Sequence, residues 1–230
     1  MSVKVKICGL TTQVDAQEAI AAGADLLGFI LYPKSPRYVT PEQIKGILNT
    51  TQPKRKGILT VGVFVNEAPQ AITQTLSYCG LDLAQLHGEE PPARLGLKES
   101  QSLLRGRAYK ALRPQSLEEA NVLAHCYALP TWLRTQGHLP AFLLDAYHPQ
   151  LRGGTGETGD WYTARSLTSQ YPLLLAGGLT PANVTQAVRI VRPWGVDVAS
   201  GVEKTPGCKD PSALRAFVAA AKDIPREEIE

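Results

Sequence analysis

The sequence predicts a single-domain α/β protein folded as a (β/α)8 barrel, and three observations carry that prediction. Short apolar, β-branched runs alternate with amphipathic segments along all 230 residues, the pattern of βαβ units around a parallel sheet. The first such run ends in Cys8-Gly9-Leu10-Thr11, without the glycine fingerprint that a doubly wound open sheet carries after its first strand. Two late runs end in bare glycine: Leu173-Leu174-Leu175-Ala176 runs into Gly177-Gly178, and Gly195-Val196-Asp197-Val198-Ala199 into Ser200-Gly201. In a barrel, the loops after strands seven and eight form a common phosphate site. Glycine there lets a backbone N–H approach an anion with no Cβ in the way, and a short helix after the last strand can aim its N-terminal N–H groups at the same anion.

Eight strands are expected, at residues 3–8, 26–31, 58–65, 83–87, 108–112, 141–146, 173–176 and 196–199. Right-handed crossovers between them close the sheet. The helices are marked by their ends. Ala16, Ala19 and Ile20 give one apolar face to a helix stopped by Gly23, a C-terminal signal. Thr40-Pro41, Thr180-Pro181 and Asp210-Pro211 each set a capping residue before proline at the first helical position, and Gln43 completes a capping box with Thr40. A helical pattern runs from Thr180 to Val191, and Leu214, Phe217, Val218 and Ala221 line one face of the last helix. The pattern is least regular at 91–105 and 129–139. The barrel is expected over residues 1–222, with a polar C-terminal tail at 223–230.

Composition excludes several classes. Hydrophobic residues make up 43% of the chain and charged residues 20%, as in ordinary globular domains. A net charge of +3 gives no argument for nucleic acid, and no apolar run reaches the length of a membrane span. The N-terminus shows no apolar secretory core. Cys8, Cys79, Cys126 and Cys208 are far apart and lack metal-ligand spacing, so reduced thiols in the cytoplasm are expected. Neither a metal nor a cofactor is expected. The expected partner is a phosphorylated small molecule, and the oligomeric state stays open.

In a barrel, function gathers at the C-terminal ends of the strands. Read in order, those ends carry Cys8, then Lys34-Ser35-Pro36-Arg37, then Gln85 and His87, Arg113, Asp145, the loop Gly153-Gly154-Thr155-Gly156, and the two glycine pairs. Cys8 reads either as a small core hydrophobe or as a base whose thiolate is favoured by an electropositive phosphate pocket. Asp145 follows Ala141-Phe142-Leu143-Leu144. It reads as a loop or capping carboxylate, or as an acid kept protonated by an apolar wall. Arg37 is a surface charge or a fork for a planar carboxylate. His87 is a site donor or a satisfied core histidine. Gly154, Thr155, Gly156, Gly177, Gly178, Ser200 and Gly201 are ordinary turns or the phosphate cradle. By strand alternation Lys6 shares the inward face of Cys8; a buried lysine requires a partner, and Asp197 on the closing strand is the candidate.

Taken together, the motifs resemble the phosphoribosylanthranilate isomerase family. They are Lys6-Ile7-Cys8-Gly9-Leu10, Ser35-Pro36-Arg37, Gln85-Leu86-His87-Gly88, Leu143-Leu144-Asp145, Gly153-Gly154-Thr155-Gly156, Leu175-Ala176-Gly177-Gly178-Leu179 and Ser200-Gly201-Val202-Glu203. The resemblance implies an Amadori rearrangement of N-(5′-phosphoribosyl)anthranilate in tryptophan biosynthesis, without cofactor or metal. By the same resemblance, Cys8 is the general base, Asp145 the general acid and Arg37 the ligand of the anthranilate carboxylate. The chain departs from the family pattern at Ala146 and Ala199, where the family carries serine, and at Gly159, where it carries phenylalanine. A histidine-pathway phosphosugar isomerase on the same barrel would carry aspartate in place of Cys8. A phosphate-metabolite binding protein would need no pair such as Cys8 and Asp145.

Overall fold

The computed structural model describes residues 3–95, 103–130, 139–145 and 161–224. Eight parallel strands close into a barrel in chain order: β1 (Lys4–Ile7), β2 (Leu26–Ile30), β3 (Leu59–Phe64), β4 (Leu83–Leu86), β5 (Ala108–Leu112), β6 (Leu143–Asp145), β7 (Leu174–Ala176) and β8 (Gly195–Val198). Closure rests on the β1–β8 ladder, where Lys6 stands opposite Asp197 and Ile7 opposite Val198. Six strands are a little shorter than their apolar runs, because the runs' ends turn into the loops; β5 spans its expected residues, and β8 keeps the expected length one residue earlier in the chain.

Among the described residues, helices α1 (Gln13–Ala22), α2 (Pro41–Thr51), α3 (Pro69–Cys79), α4 (Leu117–Tyr127), α5 (Trp161–Thr168), α6 (Val184–Val191) and α7 (Pro211–Lys222) surround the barrel. The capping residues act as expected at α2, where Thr40 and Gln43 form a reciprocal box, and at α7, where the Asp210 carboxylate accepts from the Ser212 and Ala213 N–H groups. The expected start at Thr180 is corrected. Residues 181–183 form a turn in which Asn183 Oδ1 accepts from the Thr180 N–H at 2.8 Å, and regular helix begins only at Val184. Between β4 and β5 the described residues show a 3-10 turn, Pro92–Leu95.

Two cores result from strand alternation. Residues such as Ile7, Leu27 and Leu144 pack outward against Ala16, Ile44, Leu214 and Phe217 of the helices, all fully or almost fully buried. The barrel interior holds larger polar groups, Lys6, Gln85 and Tyr109 among them. At the opposite end from the candidate site, Asp25 ties the fold's first and last elements together. It accepts from Lys4 Nζ at 3.1 Å and the Val5 N–H at 2.9 Å, and pairs with Lys222 of α7 at 2.9 Å. After β8 a 3-10 turn, Ser200–Val202, leads into an antiparallel hairpin of β9 (Glu203–Thr205) and β10 (Cys208–Lys209). No helix among the described residues is long and apolar enough to cross a membrane.

Candidate active site

A cavity of about 570 Å³ opens at the C-terminal ends of the strands, within the usual size of small-molecule sites. Cys8, Gln85, His87, Asp145, Gly177-Gly178 and Ser200-Gly201 all line it. Residues 146–160 are not described, so the expected Gly154, Thr155 and Gly156 lie outside the described residues.

Cys8 extends β1 by one residue: its N–H donates to the Val198 carbonyl at 2.8 Å. That register turns its side chain inward beside β2. A Cβ at Gly28 would sit 2.8 Å from Cys8 Sγ, so only glycine on β2 leaves the sulfur its place. The expected electropositive, thiolate-favouring setting is corrected. Burial pushes the thiol above its ordinary range; Lys6 and Lys209 draw it down, and Asp197 opposes them. The main reason is the water that the buried sulfur loses; the pull of Lys6 is offset in part by Asp197, which pairs with it at 2.9 Å.

That ion pair is the one expected from alternation. Lys6 is 0% exposed and Asp197 9%. Burial works against the ammonium, but Asp197, followed by Cys8 and Tyr109, holds its charge so that its pKa is raised. Lys6 also donates to Gln85 Oε1 at 2.9 Å, and Tyr109 donates to the same oxygen at 3.0 Å. The buried ammonium thus has a counter-charge and two hydrogen-bond acceptors, Asp197 and Gln85, the kind of partnering a buried ion requires.

Gln85 continues to His87, its Nε2 lying 2.8 Å from Nδ1. Burial, with Arg113, Lys6 and Lys110 nearby, lowers the imidazole from 6.5 to about 4; only Glu90 acts in the opposite sense. His87 is therefore neutral at physiological pH. Its loop is anchored by a buried pair in which Lys110 Nζ reaches Glu90 at 3.0 Å and the Gly88 carbonyl at 2.6 Å.

Arg37, expected at the site, is not among the residues that line the cavity, although its neighbour Ser35 is. A Cβ at Gly9 would be 2.6 Å from Arg37 Cδ, so the guanidinium stem crosses directly over the end of β1. Its Nε and Nη2 grip Glu203 in a bidentate pair at 2.8 and 2.7 Å. Glu203 also takes Lys209 Nζ at 2.9 Å. One edge of the fork expected for a substrate carboxylate is therefore held by the protein's own carboxylate, while Nη1 meets no partner among the described residues. Glu203, Lys209 and Tyr109 were not singled out as site residues in the sequence. Glu203 closes the Ser200-Gly201-Val202-Glu203 motif, which was its only signal.

The two late glycine ends meet as expected. A Cβ at Gly201 would fall 1.9 Å from the Leu179 carbonyl oxygen, so the β7 and β8 loops touch backbone to backbone. Asn183 Nδ2 donates to the Gly178 carbonyl at 3.0 Å and braces the first loop. Asp145, half-buried, ends β6 on the cavity wall. Two strands, β7 and β8, separate it from β1 on the shorter arc of the barrel, and it lines the same cavity as Cys8. Among the described residues no group of His, Cys, Asp and Glu is arranged to hold a metal.

The chain matches known proteins over nearly its whole length. The family model described as N-(5'phosphoribosyl)anthranilate (PRA) isomerase matches residues 5–220. An N-(5'-phosphoribosyl)anthranilate isomerase of Citrifermentans bemidjiense is 46% identical over 221 residues, covering 96% of this chain and 98% of that relative. One from Myxococcus xanthus is 45% identical, covering 97% and 98%. The crystal structure of the Thermotoga maritima phosphoribosyl anthranilate isomerase superposes with a TM-score of 0.79 at 38% identity, covering 96% of this chain and all of that one (100%). A phosphoribosyl anthranilate isomerase solved in complex with reduced 1-(o-carboxyphenylamino)-1-deoxyribulose 5-phosphate superposes with a TM-score of 0.76 at 36% identity, covering 96% and 100%. With the barrel, the strand-end cavity and these matches in agreement, the chain belongs to the N-(5'-phosphoribosyl)anthranilate isomerase family.

Proposed function

We propose that the chain isomerises N-(5′-phosphoribosyl)anthranilate to 1-(2-carboxyphenylamino)-1-deoxyribulose 5-phosphate, with Asp145 as acid and Cys8 as base. The observation that carries the assignment is that both side chains line one cavity from well-separated strands, beside two glycine-bearing loops. Asp145 gives its proton to the furanose ring oxygen. The C1′–O bond breaks with its electron pair going to that oxygen, and the anthranilate nitrogen supplies the pair that makes C1′=N. Cys8, as thiolate, then takes the proton from C2′. The freed pair forms C1′=C2′ and neutralises the iminium; C1′ then takes up a proton while the C2′ hydroxyl loses one as the ketone forms, and Cys8 gives up its proton and Asp145 regains one through solvent. The substrate is its own electron sink, so the steps balance without a cofactor.

Arg37 offers its Nη1 edge to the anthranilate carboxylate, and Glu203 holds the guanidinium in plane while it does so. The backbone of Gly177-Gly178 and Ser200-Gly201 binds the phosphate, together with Gly154, Thr155 and Gly156. The setting is the tryptophan pathway in the cytoplasm.

The test is the loss of phosphoribosylanthranilate fluorescence on adding the purified protein. Removing a positioned acid or base costs about 10²–10⁴-fold, so Cys8→Ala and Asp145→Asn should lower kcat by that range and keep affinity for a reduced product analogue. Arg37→Ala should instead raise KM. Near wild-type turnover by Cys8→Ala would show that another group is the base.

A further inference from the structure

The polar chain inside the barrel has only one consistent assignment of donors and acceptors. A lysine ammonium donates and never accepts. The Gln85 atom that meets Lys6 at 2.9 Å must therefore be the carbonyl oxygen, and the Tyr109 hydroxyl donates to the same oxygen at 3.0 Å. The amide cannot flip without facing an ammonium with its own NH2 group. Its nitrogen, a donor only, is thereby turned toward His87 at 2.8 Å. His87 Nδ1 must accept that hydrogen and cannot carry one, so the ring proton is on Nε2. Protonating the ring would set one N–H against another, and the cations around it act in the same direction: Arg113 and Lys110 of β5 and its end, and Lys6 of β1, against Glu90 alone. His87 lines the cavity, and among the described residues its Nε2 meets no acceptor.

We propose that Lys6 and Tyr109, acting through Gln85, lock His87 as a neutral Nε2–H donor, and that this N–H binds an oxygen of the substrate. The second half rests on the isomerase reading above; the first does not. Lys6, Tyr109 and Gln85 are positioning residues here, and the buried Lys6–Asp197 pair serves the site as well as the barrel. It follows that His87 neither takes nor gives a proton in the reaction, and that the cavity rejects a ligand presenting a donor at that point.

The test is a long-range proton–nitrogen NMR spectrum of the full chain labelled with 15N-histidine, without substrate. The His87 signals are identified by their loss in His87→Gln. At pH 7 the wild type should show Nε2 protonated and Nδ1 bare. A proton on Nδ1, or a charged ring at pH 7, would overturn the proposal. Gln85→Glu offers a second carboxylate oxygen to Nδ1 and should move a proton onto it. Gln85→Met removes the amide at similar volume and should raise the pH at which His87 charges by about one unit or more. Either variant, if folded, overturns the relay by leaving the His87 signals as in the wild type, and the wild-type spectrum stands without them. In the turnover assay, His87→Gln keeps a donor and His87→Glu presents an acceptor. Loss of one hydrogen bond with an unpaired oxygen left behind corresponds to about tenfold or more, so KM should rise at least that much further in His87→Glu than in His87→Gln. Equal KM values would overturn the donor role. Absence of wild-type turnover would overturn the isomerase reading instead, leaving the tautomer result intact.

Discussion

Asp197→Ala is the most searching perturbation of the barrel interior. Asp197 faces Lys6 at 2.9 Å, with side-chain exposures of 10% and 0%. Removing the carboxylate leaves the ammonium with a single acceptor, Gln85 Oε1, and no counter-charge. Breaking a buried pair in this way costs about 3–5 kcal/mol. That is a large share of the roughly 5–15 kcal/mol that holds a typical domain together. For a chain of this size each kcal/mol shifts Tm by about 2–4 °C, so the expected drop is roughly 6–20 °C. The companion variant Lys6→Met/Asp197→Ala removes the orphaned charge and fills its space with an apolar chain. It should recover more than half of the loss. Urea unfolding followed by tryptophan fluorescence measures both. An Asp197→Ala protein within about 1 kcal/mol of the wild type, or a double variant less stable than the single one, would show that desolvation of an unpaired ammonium does not govern this site.

Three further outcomes are expected. Gly201→Ala would drive a Cβ to 1.9 Å from the Leu179 carbonyl oxygen and part the two glycine loops; KM for the phosphorylated substrate and the inhibition constant of inorganic phosphate should both rise about tenfold or more, the scale of one lost charged hydrogen bond, and unchanged phosphate inhibition would argue for another anion site. Because burial raises the Cys8 thiol from its ordinary 9.0, the free enzyme holds the proton at neutral pH and only the thiolate is a base, so kcat/KM should climb with pH from about 7 to 9; a flat profile would exclude thiolate chemistry at Cys8. Burial opposes ionisation of Glu203 and Glu90, but Arg37 and Lys209 at the first, and the Asn66 N–H and Lys110 at the second, hold both carboxyls below 4.5. Their contribution is complete above that unfolded-state value and is lost as pH falls through the depressed folded-state values, so Tm should fall steeply in acid, and less steeply in Glu203→Gln.

Much of this protein was legible in residue order alone. Short apolar runs such as Leu26–Ile30 and Leu59–Phe64 became strands where they were expected, because a parallel barrel strand is buried on both faces, one against the helices and one in the interior. Strand alternation also foretold that Lys6 would be buried and that Asp197 would meet it. Cys8 and Asp145 were visible as strand-end residues because a barrel sends every strand's C-terminal end to the same face. What residue order could not supply was convergence. Lys6 and Gln85 are 79 positions apart and Arg37 and Glu203 are 166 apart, and no local pattern records that such side chains will touch. Only the closed barrel set Tyr109 on the same oxygen as Lys6, turned the Gln85 amide toward His87, and gave Glu203 one edge of the Arg37 fork. It also reversed the expectation for Cys8, since a thiol's charge depends on the water it loses and on whether its nearest cation is already paired, both consequences of packing.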